Sequence, residues 1–237
     1  MEITPLGDSA LIVHVRDRFE DAPDETLDEV LRVFRELEAA AIPGVIELAP
    51  AYTTVAVFFD PSGVINAGAG FDRVIDSLTH AIHQAVSRGD AHKQKPARAR
   101  LIEIPVCYDS KFAPDLEDVA QWAQISAKEV VDLHSGTEYH VNCIGFTPGF
   151  PFLAGLPKKL ATPRRPTPRK EVPAGSVGIG GAQTGIYPLP SPGGWNIIGR
   201  SPLRLFDSAQ DQPALLRVGD RVRFRAIDLE EFEQEKK

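Results

Sequence analysis

Seven cations and one carboxylate mark out a single stretch of this chain. Between Gly145 and Pro202, Lys158, Lys159, Arg164, Arg165, Arg169, Lys170 and Arg200 are opposed only by Glu171, a local net charge of +6 within a sequence whose total is −7. The remainder therefore carries −13. A basic, loop-rich island on an acidic protein suits an anion such as a phosphate or a carboxylate. The arginines alternate with prolines in TPRRPTPR, residues 162–169, and each pyrrolidine ring stiffens the backbone that carries them. Gln183, Tyr187 and Trp195 follow closely in sequence. Two blander readings stand beside the anion site: a solvated loop, or a surface for an acidic partner.

Other familiar chemistry is largely missing. No GxxxxGK[ST] loop occurs, and Gly178, Gly180 and Gly181 stop short of a full GxGxxG because the last glycine is absent. The six histidines form no metal-ligand grouping; His80 and His83 share a helix face but lack a third ligand, so no metal is expected. The segment Ala174–Gly178 (AGSVG) resembles a nucleophile elbow without its first glycine, and Ser176 reads more simply as a turn serine. His140 is either a satisfied strand histidine or a general base. Cys107 and Cys143 do not make a disulfide framework and read as buried thiols.

These residues need a scaffold. Length (237 residues) and 43% apolar content fit one large domain or two small ones with sizeable cores. Strand patterns at Ala10–Val15, Val45–Leu48 and Tyr52–Phe59 alternate with helical spacing over Asp24–Ala40 and from Phe71 to Val86, which predicts a small α/β domain over residues 1–88. Asp60–Gly63 reads as a turn. The polar, basic run Arg88–Arg100 predicts a linker spanning 89–100. From 101 to 237 the pattern is a strand (Leu101–Cys107), a helix near Asp115–Ala123, a capping box at Ser126–Glu129, a strand at Thr137–Phe146, then a stretch with 11 Pro and 11 Gly in 58 residues. Strands are expected again at Trp195–Ile198, Leu203–Phe206 and Arg221–Ala226. Short strands joined by Gly/Pro turns predict a β-barrel or sandwich. No run is long and apolar enough for a membrane span, no basic-then-apolar leader opens the chain, and the net charge argues against nucleic acid. The expectation is a cytoplasmic protein.

Within that stretch, GFTPGFPFLAGLP (Gly145–Pro157) spends apolar residues on a sequence too rich in Gly and Pro for regular structure. An anchored irregular loop is expected, with Phe146, Phe150, Phe152 and Leu153 buried and Gly145, Gly149 and Gly155 permitting close approach or positive φ. Together with LATPRRPTPRKEVPAGSVGIGGAQTGIYPLPSPGGWNIIGRSP and the opening TPLGDSALIV, this segment resembles the KipI / allophanate hydrolase subunit 1 family, whose members include the B-type component of ATP-dependent 5-oxoprolinase.

The resemblance implies an α+β chain, an N-terminal α/β domain followed by a cyclophilin-like β-barrel. It implies one component of a heteromeric hydrolase that opens 5-oxoproline to glutamate with ATP cleavage. Its partners would be an allophanate hydrolase subunit 2-like protein (the C-type component of 5-oxoprolinase) and a LamB/YcsF-like protein (the A-type component). ATP is the implied cofactor, on this chain or on a partner. Under that reading Arg164 and Arg169 contact anions, Gln183 and Tyr187 orient the amide, and His140 is the catalytic candidate base. Ser176, Gly180 and Gly181 donate to an oxyanion, while Gly145, Phe146, Pro148, Gly149 and Trp195 line the substrate. The alternatives are a KipI-like inhibitor of a sensor histidine kinase, or a subunit related to allophanate hydrolase or urea carboxylase.

Overall fold

The structure, a computed structural model, describes residues 1–19, 21–89 and 99–236. It divides into two compact units, Met1–Arg98 and Ala99–Lys237. Most of the linker expected at 89–100 lies outside the described residues.

In the first unit, β1 (Glu2–Pro5), β2 (Ala10–His14), β3 (Val45–Ala51) and β4 (Thr54–Phe59) form an antiparallel sheet in the order β1-β2-β4-β3. Helices α1 (Pro23–Ala40), α2 (Pro61–Asn66) and α3 (Val74–Gly89) complete it. Leu11, Val13, Val55, Val57 and Phe59 from the sheet meet Val30, Val33 and Leu37 of α1 and Leu78 and Ile82 of α3 in one core. Alternation of buried and half-buried residues along β4 is what a sheet covered on one face requires. Two expectations need correcting. Phe71 does not belong to the apolar helix face; it is 87% exposed on a 3-10 turn ahead of α3. Asp60 does not open a simple turn but caps α2, accepting from the Ser62 and Gly63 N–H groups at 3.0 and 3.1 Å.

The second unit is a closed seven-stranded barrel, as the resemblance implied. Its strands are β5 (Leu101–Cys107), β6 (Glu138–Ile144), β7 (Pro151–Ala154), β9 (Ser176–Gly180), β10 (Gln183–Ile186), β12 (Asn196–Arg200) and β13 (Arg221–Ile227), in the order β10-β7-β6-β13-β5-β12-β9. The β5–β13 pair is parallel and the others antiparallel. Strands β8 (Arg169–Val172) and β11 (Ser191–Gly193) pair separately. Ile104, Val106, Val141, Leu153, Val177, Ile179, Ile198 and Phe224 fill the interior. Helix α4 (Leu116–Ala123) packs on β12, and α5 (Ala127–Ser135) on β13. The Ser126–Glu129 capping box forms as expected.

One polar chain crosses this core. His134 is fully buried, with Tyr108 Oη 2.8 Å from Nδ1 and Thr184 Oγ1 2.9 Å from Nε2. Thr184 donates its own proton to the Gly178 carbonyl, so it accepts from His134 Nε2–H and Nδ1 accepts from Tyr108. Burial holds His134 down to about 3, neutral at physiological pH.

Two further corrections concern this unit. Gly145–Pro157 is not irregular throughout, since Pro151–Ala154 forms barrel strand β7, with Leu153 inside. Leu203–Phe206 is not a strand; only a bridge from Phe206 to Ala214 forms there. A C-terminal helix, α6 (Leu229–Glu235), follows β13, capped by Asp228, which accepts from the Glu231 N–H at 2.8 Å.

Candidate functional site

Outside the barrel wall, Phe150, Val172, Tyr187, Trp195 and Ile197 form a separate cluster, with Phe152 against it. The rings meet edge to face: Phe150 lies 5.1 Å from Tyr187 and 5.4 Å from Trp195, centroid to centroid. The glycines of GSVGIGGAQTG explain how the rings can sit so close. A Cβ at Gly180 would fall 2.6 Å from the Trp195 indole, and one at Gly185 would fall 3.1 Å from the Phe150 ring. In β9 the glycines alternate with Val177 and Ile179, which face the barrel interior. One face of the strand fills the barrel; the other is kept bare to seat aromatic rings. This glycine pattern is therefore a packing device rather than a phosphate cradle.

The basic island meets this aromatic wall. The Arg164 guanidinium lies over Trp195, 5.9 Å from the ring centre. Arg164 is exposed and makes no ion pair among the described residues. Its neighbours are committed elsewhere. Arg165 Nη1 and Arg169 Nη2 both donate to Asp115 Oδ1, at 2.6 and 2.7 Å. Asp115 Oδ2 accepts from the Ile197 N–H at 2.6 Å, and the Asp115 N–H returns to the Ile197 carbonyl at 3.0 Å. Asp115 is 1% exposed, so its charge is neutralised inside the protein. Among the described residues, Arg165 Nε and Arg169 Nη1 are buried without a hydrogen-bond partner.

The structure gathers several predicted site residues and separates others. Arg164, Tyr187, Trp195, Phe146 and Gly180 lie on or against the aromatic cluster. Phe146 corrects the anchored-loop reading: it is 63% exposed, at φ +68°, touching Phe150 with its ring edge at 5.6 Å between centroids. Phe150 and Leu153 are the buried anchors. Gly149 does require its freedom, at φ +80° and with a Cβ there only 3.0 Å from Phe206. Pro148 sits exposed between them, and Gly145 donates its N–H to the Phe150 carbonyl at 3.0 Å.

Tyr187 is 2% exposed, and burial pushes its hydroxyl up, opposed by a backbone hydrogen bond at Trp195 and by the Arg164 and Arg169 charges. Ser176 is buried at the start of β9. The Gly181 N–H is already given to the Thr162 carbonyl at 2.8 Å, so it does not point at a free oxyanion. Gln183 starts β10, opposite Gly180. His140 lies half-buried on β6, paired with Ala154 and Arg221, and not among the rings. Asp115 is the residue the sequence did not single out. It precedes α4 as an N-cap would, yet its side chain makes no cap bond; its partners lie 50 and more positions away, so no local pattern reveals it. Among the described residues no group of His, Cys, Asp and Glu could hold a metal ion, and no helix is long and apolar enough to cross a membrane.

Residues 1–216 match the family described as carboxyltransferase domain, subdomain C and D. The chain is 40% identical to the B component of 5-oxoprolinase from Bacillus subtilis (strain 168), over 98% of its own length and 95% of the relative's. It is 42% identical to the B component of 5-oxoprolinase from Escherichia coli O157:H7, over 92% and 93% of the two chains. The solved structure of TTHA0988 aligns with a TM-score of 0.75 at 36% identity, over 92% of this chain and 40% of that one. The chain thus spans less than half the length of that structure.

Proposed function

The chain belongs to the carboxyltransferase domain, subdomain C and D, family, and from this we propose that it is the B-type component of a multi-subunit 5-oxoprolinase. The observation that carries the reading is the near end-to-end likeness to curated proteins of that name. The reaction proposed is hydrolysis of 5-oxoproline to glutamate coupled to cleavage of ATP. A lactam carbonyl is a poor electrophile. Phosphorylating its oxygen activates the carbon; one water adds there, the ring nitrogen leaves as the amine to give an acyl phosphate, and a second water releases inorganic phosphate and the glutamate carboxylate.

On this chain the aromatic wall and Arg164 form the substrate face. Trp195 holds the guanidinium in place, and the guanidinium is free to pair with the substrate carboxylate or a phosphoryl oxygen. Tyr187, a neutral phenol whose ionisation burial disfavours further, contributes shape and a hydroxyl rather than a charge. The Arg165–Asp115–Arg169 cluster fixes the loop that carries Arg164. No recognisable nucleotide-binding sequence motif appears on this chain, so the nucleotide is assigned to the assembled complex with a C-type and an A-type partner. The test is reconstitution: glutamate release dependent on both ATP and 5-oxoproline is expected from the three-component mixture and not from this chain alone. Full turnover by the isolated chain would refute the multi-subunit reading.

A further inference from the structure

A second cationic place lies in the barrel unit, and Arg164 does not line it. A cleft of about 430 Å3 opens between the Lys111–Phe112 turn, the Ala174–Gly175 turn, the Arg200–Arg204 segment and α6. That volume falls in the range of small-ligand sites. Four cations line it, Lys111, Arg200, Arg204 and Lys236, against one carboxylate, Glu233. Arg204 is paired with Asp207 at 3.2 Å and Lys236 lies 3.9 Å from Glu233. Lys111 and Arg200 have no ion pair among the described residues.

Both uncommitted cations are held against one ring. Lys111 Nζ lies 5.2 Å and Arg200 Cζ 5.7 Å from the centre of Phe112, which packs on Phe232 at 4.5 Å. Arg200 is further fixed by its Nε, which donates to the Ala174 carbonyl at 2.8 Å and leaves the terminal nitrogens of the guanidinium to other acceptors. Ser201 is 3% exposed; its hydroxyl oxygen accepts from the Leu203 N–H at 3.2 Å, which leaves its proton to donate. The neighbouring turn is built to close on this spot. Gly175 sits at φ +81°, and a Cβ there would collide with the Ser201 carbonyl. The AGSVG sequence thus serves tight packing of the cleft floor rather than a serine nucleophile.

We propose that this cleft binds a phosphate-type oxyanion through Lys111, Arg200 and Ser201. Two fixed cations and a hydroxyl match several oxygens sharing more than one negative charge, whereas a single carboxylate is satisfied by one guanidinium fork. The proposal concerns this chain alone and does not rest on its place in a 5-oxoprolinase. It is tested by calorimetric titration of the full chain with inorganic phosphate, with succinate as the carboxylate arm. Saturable phosphate binding is expected, weakened about tenfold or more by Lys111→Ala and by Arg200→Gln, the loss of one charge-assisted contact. Lys158→Ala, at a residue that does not line the cleft, should stay within about twofold of the unmodified chain. Thermal melts check each fold, and if Arg200→Gln unfolds, the exposed Lys111→Ala decides. Absence of saturable binding, an unaffected Lys111→Ala, equal weakening by Lys158→Ala, or tighter binding of succinate than of phosphate would each overturn the assignment.

Discussion

Asp115 and Arg169 stand 54 positions apart in the chain and meet at 2.7 Å beside β12. With Arg165 on the same carboxylate oxygen, this contact turns two of the island's seven cations inward. The arginines of TPRRPTPR therefore have different tasks. Arg165 and Arg169 hold the loop; Arg164 alone among them is presented to solvent over an aromatic face.

The first prediction separates these tasks. Asp115→Ala leaves two guanidinium groups without their acceptor, and the Ile197 N–H as well. Because both arginines retain partial contact with water, the expected loss lies at the lower end for a broken buried pair, about 3 kcal/mol. Chemical denaturation measures it. A loss below about 1 kcal/mol would show that the cluster does not hold the loop.

Arg164→Ala should leave the melting behaviour of the isolated chain unchanged, within about 0.5 kcal/mol. In the reconstituted complex the same change should lower kcat/KM roughly 10- to 150-fold, the cost of one charge-assisted hydrogen bond. Arg164→Lys should also be harmful, because lysine keeps the charge but loses the planar fork. Assembly must be followed by gel filtration in parallel. Normal assembly with full activity would remove Arg164 from the substrate face.

Gly180→Ala tests the ring-seat reading of the glycines. The added methyl would lie 2.6 Å from the indole, so Trp195 has to move, at a cost of about 1–3 kcal/mol. Tryptophan emission should shift with it, since Trp195 is 5% exposed in the native packing. Unchanged stability and emission would mean that the bare strand face is dispensable.

The pH dependence of stability follows from His134. Its folded value, about 3, lies below the ordinary histidine value near 6.5. Between those values the unfolded chain binds a proton that the folded chain refuses. The stabilising contribution is full above about pH 6.5 and is lost as pH falls toward 3, with a slope of up to about 1.4 kcal/mol per pH unit from this one group. Urea titrations at pH 7, 5.5 and 4.5 check the slope. His134→Gln should flatten it while lowering stability at pH 7, and a slope unaltered by that change would assign the acid sensitivity to other groups.

Several features were legible in the residues because their causes are local. Helix α1 follows from apolar spacing over Asp24–Ala40, the capping box from Ser126 and Glu129, and the change of architecture along the chain from the concentration of Gly and Pro after Gly145. The long, specific run from Gly145 to Pro202 also carried the family, since its glycines and prolines answer to fixed backbone and packing demands. Tertiary structure decided the rest. Whether a glycine cradles a ligand or seats a ring depends on what lies across from it, and Trp195 reaches Gly180 only once β12 pairs with β9. Whether an arginine is free depends on a carboxylate brought from far away: sequence gives Arg164, Arg165 and Arg169 the same charge, and only the position of Asp115 makes two of them structural. Phe146 and Phe150, four residues apart and chemically alike, end on opposite sides of the same decision. A left-handed backbone turns the first toward solvent, and the bare face of Gly185 receives the second.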